Sequence, residues 1–194
     1  MLTELFAPFK SLSSFKRMVV LVIVCQIFAL PFSAMEFVPV FSNLRPVTAL
    51  IPIYGIFFGP TGCWAYAFSN LLYDFLAGKV VISSIGGFVG NFVAASMFWA
   101  FSRRFIFEGH LLGSVKTFAT YTAVAIAAAF ALTVMIIFWI ALFYAETDAV
   151  ATGLFIFGNN LFFFLVPGAG IAILMSTEFD RRPIVCEKSD SADV

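Results

Sequence analysis

The sequence predicts an all-α integral membrane protein: a six-helix transmembrane bundle with a short irregular second span and an N-terminal amphipathic helix. Three observations predict it. Hydrophobic residues make up 62% of the 194-residue chain and charged residues only 11%, with a mean hydropathy of +1.03. Soluble domains carry roughly 25% charge. The apolar residues also fall into separate runs of spanning length. Finally, the basic residues segregate. With the N-terminus inside, Lys10, Lys16, Arg17, Arg103, Arg104, Lys116, Arg181, Arg182 and Lys188 lie on the inner side, and only Arg45 and Lys79 lie outside. That nine-to-two split is a strong positive-inside pattern.

Residues 1–17 form the first element. Leu2, Leu5, Phe6, Phe9 and Leu12 recur at helical spacing with Glu4, Lys10 and Ser11 between them, as in an amphipathic helix on the cytoplasmic leaflet. It serves either as a membrane-surface anchor or as a docking element for a partner. The membrane domain covers residues 18–176, with expected spans Met18–Phe32, Val47–Phe58, Cys63–Leu76, Ser83–Phe101, Phe118–Tyr144 and Ala151–Met175. Met18–Phe32 is read as a retained span, because Pro31-Phe32-Ser33-Ala34 lacks the small residues a signal-cleavage site needs. The second span is short: its twelve residues cover about 18 Å of a core about 30 Å thick. A re-entrant loop is the alternative, but five spans would put Arg103 and Arg104 outside. Residues 177–194 are a polar cytoplasmic tail. The chain is therefore expected in the cell (inner) membrane, multi-pass, with both termini cytoplasmic.

The stretch Arg45–Asn91 departs most from an ordinary membrane helix. It holds Pro46, Pro52 and Pro60, the turn Gly59-Pro60-Thr61-Gly62, and polar residues at helical spacing. Irregular backbone at membrane depth is tolerated where it is buried in protein or lines a cavity, and ionisable groups there mark functional sites. Tyr66, Asn70 and Tyr73 sit at i, i+4 and i+7, with Asp74 one turn beyond Asn70, so the four share a face. Such a wall can stack a planar ring and hydrogen-bond its edge, with the carboxylate fixing a cationic or N–H-bearing group. Alternatively, Asp74 is solvated beside Lys79.

The fourth span carries Ser83, Gly86, Gly87, Gly90, Ala94 and Ala95, small residues that let helices approach closely, and Asn91, an amide that could face the same cavity. In the last span Asn159 and Asn160 interrupt an aromatic run. Adjacent residues point about 100° apart, so at most one of them is expected to face a given cavity, the other bonding between helices. The outer connection Ser33–Leu44 is too apolar for a solvated loop and reads as a lid; in it Glu36 could pair with Arg45, or Arg45 could meet an anionic ligand group.

Several chemistries are excluded. No P-loop, no His-Glu-x-x-His and no base partner for a nucleophile occurs in a span; the single histidine, His110, falls in a connecting loop. Cys25, Cys63 and Cys186 have no paired spacing, so no metal site or disulfide framework is expected. A net charge of +0 offers nothing to nucleic acid. The chain reads as a non-enzyme without a cofactor.

The run R-P-V-T-A-L-I-P-I-Y-G-I-F-F-G-P-T-G-C-W-A-Y-A-F-S-N-L-L-Y-D-F-L-A-G, followed by I-G-G-F-V-G-N, resembles the substrate-capture (S) components of energy-coupling factor transporters. The likeness covers Arg45–Phe101, about a third of the chain. It implies a six-helix subunit that binds a micronutrient-like small molecule from outside. Its partners would be a transmembrane coupling protein and two ABC-type ATPase subunits. The pocket would lie under the lid, at the outer ends of the third, fourth and sixth spans. The small-residue docking position on the first span would map to Cys25, Ala29 and Ser33. A stand-alone permease or channel and a non-transport membrane scaffold remain the rival classes.

Overall fold

The computed structural model describes residues 2–32, 36–38, 42–43, 45–105, 113–144 and 146–177. In chain order they form α1 (Leu2–Leu5), α2 (Leu12–Ala29), the antiparallel strand pair β1 (Glu36–Val38) and β2 (Ser42–Asn43), α3 (Leu50–Leu76), α4 (Ser83–Phe105), α5 (Val115–Phe143), α6 (Ala149–Phe163) and α7 (Ala169–Thr177). Five stretches are long and apolar enough to cross a membrane: Leu12–Phe32, Pro46–Leu76, Ser83–Arg104, Val115–Phe143 and Ala149–Thr177. The second and third expected spans both fall within one of them, Pro46–Leu76.

That stretch is not a rod. Gly59 interrupts it at φ 54, ψ −136, a conformation side-chain-bearing residues avoid, and Pro60 supplies no N–H to bridge the break. Along a straight helix Tyr54 and Tyr66 would lie about 18 Å apart. Their rings instead meet edge to face at 5.8 Å. Arg45, at the start of the stretch, reaches Asn70 and Asp74 near its end. Residues 46–58 and 60–76 are thus two arms of a hairpin closed at Gly59. Gly62 lets them close, since a methyl there would overlap the Tyr54 carbonyl oxygen. Tyr54 then donates its hydroxyl to the Leu21 carbonyl at 2.7 Å, tying the first arm to α2.

α4 packs along the hairpin on one side and α5 on the other. Its glycines divide the work: Gly86 lies against Met135 and Trp139 of α5, Gly90 against Leu132, and Gly87 against Asn70 of the hairpin. Apolar side chains left exposed, among them Ile27, Phe130, Phe138, Leu154 and Phe162, point outward as lipid-facing residues do.

The N-terminal segment departs from the single amphipathic helix expected over residues 1–17. Pro8 falls in a one-turn 3-10 helix, Ala7–Phe9, and Ser11 is extended at φ −130, ψ 125, so helix restarts at Leu12 and Leu12–Arg17 prolong the first membrane helix. The remaining piece lies against the bundle. Trp64 donates Nε1–H to the Leu5 carbonyl at 2.8 Å, and the rings of Phe6 and Phe9 pack on Trp64. Glu4 pairs with Arg103, whose guanidinium holds the carboxyl below its usual range.

The last stretch, which holds the expected span Ala151–Met175, is widened at residues Phe164–Gly168 into a π turn around Pro167. The Phe164 carbonyl accepts the Ala169 N–H across this turn and, in addition, the Tyr121 hydroxyl at 2.7 Å. Gly168 lets this turn press on Pro52 and Ala49 of the hairpin.

Candidate functional site

A cavity lies between α2, the two arms, α4, α5 and α6, toward the end of the bundle where Arg45 and Asp74 meet. Measured to the centre of a water molecule it offers about 80 Å³, room for several waters or a small ligand. Tyr66, Asn70, Tyr73, Asp74, Asn91, Asn159, Asn160 and Arg45 all line it. Glu36 belongs to β1, which with β2 stands beside α6, but its side chain lies outside the described residues, as does most of the expected lid.

The hairpin builds the upper wall. Closing at Gly59 brings Arg45 over the face that Tyr66, Asn70, Tyr73 and Asp74 present on the second arm. The Arg45 Nη1 donates to Asn70 Oδ1 at 2.8 Å, Nη2 reaches Asp74 Oδ1 at 3.4 Å, and the guanidinium carbon lies 5.1 Å from the Tyr73 ring centre. The Arg45 side chain is 30% exposed and that of Asp74 only 8%, so the guanidinium faces the opening and the carboxylate backs it. Asp74 is therefore occupied by Arg45. It positions that cation, a contact across the hairpin that the helical face alone did not suggest.

α4 and α6 build the floor. Asn91 donates Nδ2–H to the Gly87 carbonyl at 2.7 Å, and Asn160 donates Nδ2–H to the Ile156 carbonyl at 2.9 Å, each bond running one turn back along its own helix. Asn159 presents a buried Oδ1 without a hydrogen-bond partner among the described residues. Both Asn159 and Asn160 border the cavity, which corrects the expectation that only one would. α6 forms a broad wall of the chamber, wide enough for positions 100° apart to reach it.

Other lining residues carry no spacing signal in the sequence. Ser69 contributes from the second arm, where its carbonyl accepts from Gln26 Nε2 at 2.7 Å. Thr48, Ser84, Lys79, Leu132 and Ile136 complete much of the lining. From α2 come Cys25 and Ala29, 3% and 4% exposed. The docking position that the family resemblance maps onto Cys25 and Ala29 is thus turned into the protein. Ser33, its third member, lies outside the described residues.

Below the floor the bundle is filled. Phe98, Tyr121 and Phe164 pack ring to ring and are essentially inaccessible. Asn91 and Phe98 are seven residues apart on α4, so this plug begins about 10 Å beneath the amides.

No protein-family model, curated protein or solved structure matches this chain.

Proposed function

We propose that this chain is the membrane-embedded substrate-binding subunit of an uptake transporter of the energy-coupling factor type. It would capture a small, micronutrient-like molecule from outside and pass it to a coupling protein driven by two ABC-type ATPases. One observation carries the reading: Arg45, three tyrosine-and-amide positions of the hairpin, Asn91, Asn159 and Asn160 converge on a single chamber, and among the described residues the buried polar side chains away from it are Gln26 and scattered threonines and a serine. Small-molecule sites have this form, apolar walls with a few convergent polar groups. The aromatic plug under the floor favours capture over a stand-alone channel, which needs a continuous polar path.

In this reading both arms of the hairpin cross the bilayer. The chain then has six crossings, the second of them short, with both termini cytoplasmic and the cavity opening outward. The nine-to-two distribution of basic residues supports that orientation. Single cysteines placed at Glu146 and Glu108 check it. The first is expected to react with an impermeant reagent from outside and the second only after permeabilisation; the reverse pattern contradicts the orientation.

The missing P-loop predicts that the purified chain hydrolyses no ATP, and that mild extraction from its host brings a coupling protein and two ATPases with it. Hydrolysis by the chain alone, above an empty-vector control, would remove the proposal.

A further inference from the structure

The hydrogen bonds around the cavity give it a polarity, and the polarity restricts the ligand; this rests on the capture reading above. A side-chain amide has a donor end and an acceptor end, whereas a backbone carbonyl only accepts and a guanidinium only donates. Asn91 and Asn160 each commit their nitrogen to a helix carbonyl, so the ends left over are their oxygens. The buried Asn159 Oδ1 adds a third acceptor with no partner. The floor therefore turns acceptor oxygens toward a ligand, and of the three only the Asn159 Oδ1 is buried with no partner among the described residues, an expensive state for such a group.

The outer end is the converse. Because Asn70 receives Arg45 on its oxygen, its NH₂ end turns toward Gly87, where even a methyl would come within 2.8 Å of that nitrogen. Arg45 has five N–H donors, and its described bonds are one to Asn70 and one long contact to Asp74. Asn91 lies one helical turn beyond Gly87, with its amide folded back to the Gly87 carbonyl, and Asn159 and Asn160 line the cavity from α6. Tyr66 and Tyr73 supply flat walls to the cavity.

The geometry points to a small planar carboxylate whose far end carries N–H donors. Its carboxylate meets the guanidinium fork of Arg45, which suits a planar, bidentate anion, and its N–H groups complete Asn91, Asn159 and Asn160. Asp74 neutralises part of the Arg45 charge from behind and holds the fork in place.

Three probes separate the two ends: 4-aminobenzoate has both groups, 4-methylbenzoate lacks the N–H, and 4-methylaniline lacks the carboxylate. They are titrated against the full chain in nanodiscs. 4-Aminobenzoate is expected to bind about tenfold or more tighter than either of the others, a ranking that requires no variant. Arg45→Gln should level 4-aminobenzoate with 4-methylaniline, and Asn91→Leu should level it with 4-methylbenzoate. Equal binding of the three by the parent overturns the polarity and leaves capture standing. If none binds, the molecule extracted from gently purified protein decides. A carboxylate bearing N–H groups upholds the inference, and any other class overturns it while leaving capture intact. The absence of any bound molecule overturns both.

Discussion

Gly59→Ala combined with Gly62→Ala is expected to abolish the native fold or lower its melting temperature severely. At φ 54, ψ −136 an alanine at position 59 is strained by about 1–3 kcal/mol. At position 62 the added methyl drives into the Tyr54 carbonyl, and overpacking of this kind costs about 1–3 kcal/mol. The pair is thus comparable to a large part of a typical domain's stability of about 5–15 kcal/mol. Gly158→Ala and Gly170→Ala are the controls: nothing lies near their added methyls, and alanine is the better helix former by about 1 kcal/mol. Thermal unfolding followed by tryptophan emission is a suitable measurement, because Trp99 lies directly over Gly59. A double variant that melts with the parent would mean that the two arms do not close at this turn.

Asn70→Ala is expected to weaken ligand binding by about 5- to 150-fold while the protein stays folded. Asn70 holds Arg45 at 2.8 Å, and without it the guanidinium keeps the looser 3.4 Å contact to Asp74 and its place over the Tyr73 ring. Loss of one such bond with a partner left unpaired costs about 1–3 kcal/mol, which sets the range in affinity. Asn91→Ala should weaken binding on the same scale from the opposite end of the cavity. Titration calorimetry in nanodiscs reads both, with the melting temperature as the check on folding. Unchanged affinity in both variants would make these amides helix-packing groups alone.

Much of this fold is legible in the sequence itself. Long apolar runs announce membrane helices because lipid tolerates little else, and Gly59-Pro60 announces a turn because one residue permits the backbone and the other denies it a hydrogen bond. The face shared by Tyr66, Asn70, Tyr73 and Asp74 follows from the helical repeat. What that repeat cannot give is the partner across a gap. Arg45 and Asp74 are 29 residues apart, and only the closed hairpin brings them together. The same limit hid the inward orientation of Cys25 and Ala29, which depends on how α2 rotates against the hairpin. At the N-terminus the apolar spacing of residues 2–12 suggested one helix, but Pro8 and the extended Ser11 break it. Near the other end the last span is widened around Pro167, which its apolar run does not announce. At its π turn the Tyr121 hydroxyl, 43 residues away in the chain, meets the Phe164 carbonyl.

The claim that this chamber captures a small molecule is tested most directly by native mass spectrometry of the full chain released from nanodiscs after gentle purification. The parent is expected to carry one additional small-molecule mass, lost or strongly depleted in Asn70→Ala and Asn91→Ala preparations that remain folded. A bare parent chain, or equal occupancy in the parent and both variants, would contradict it.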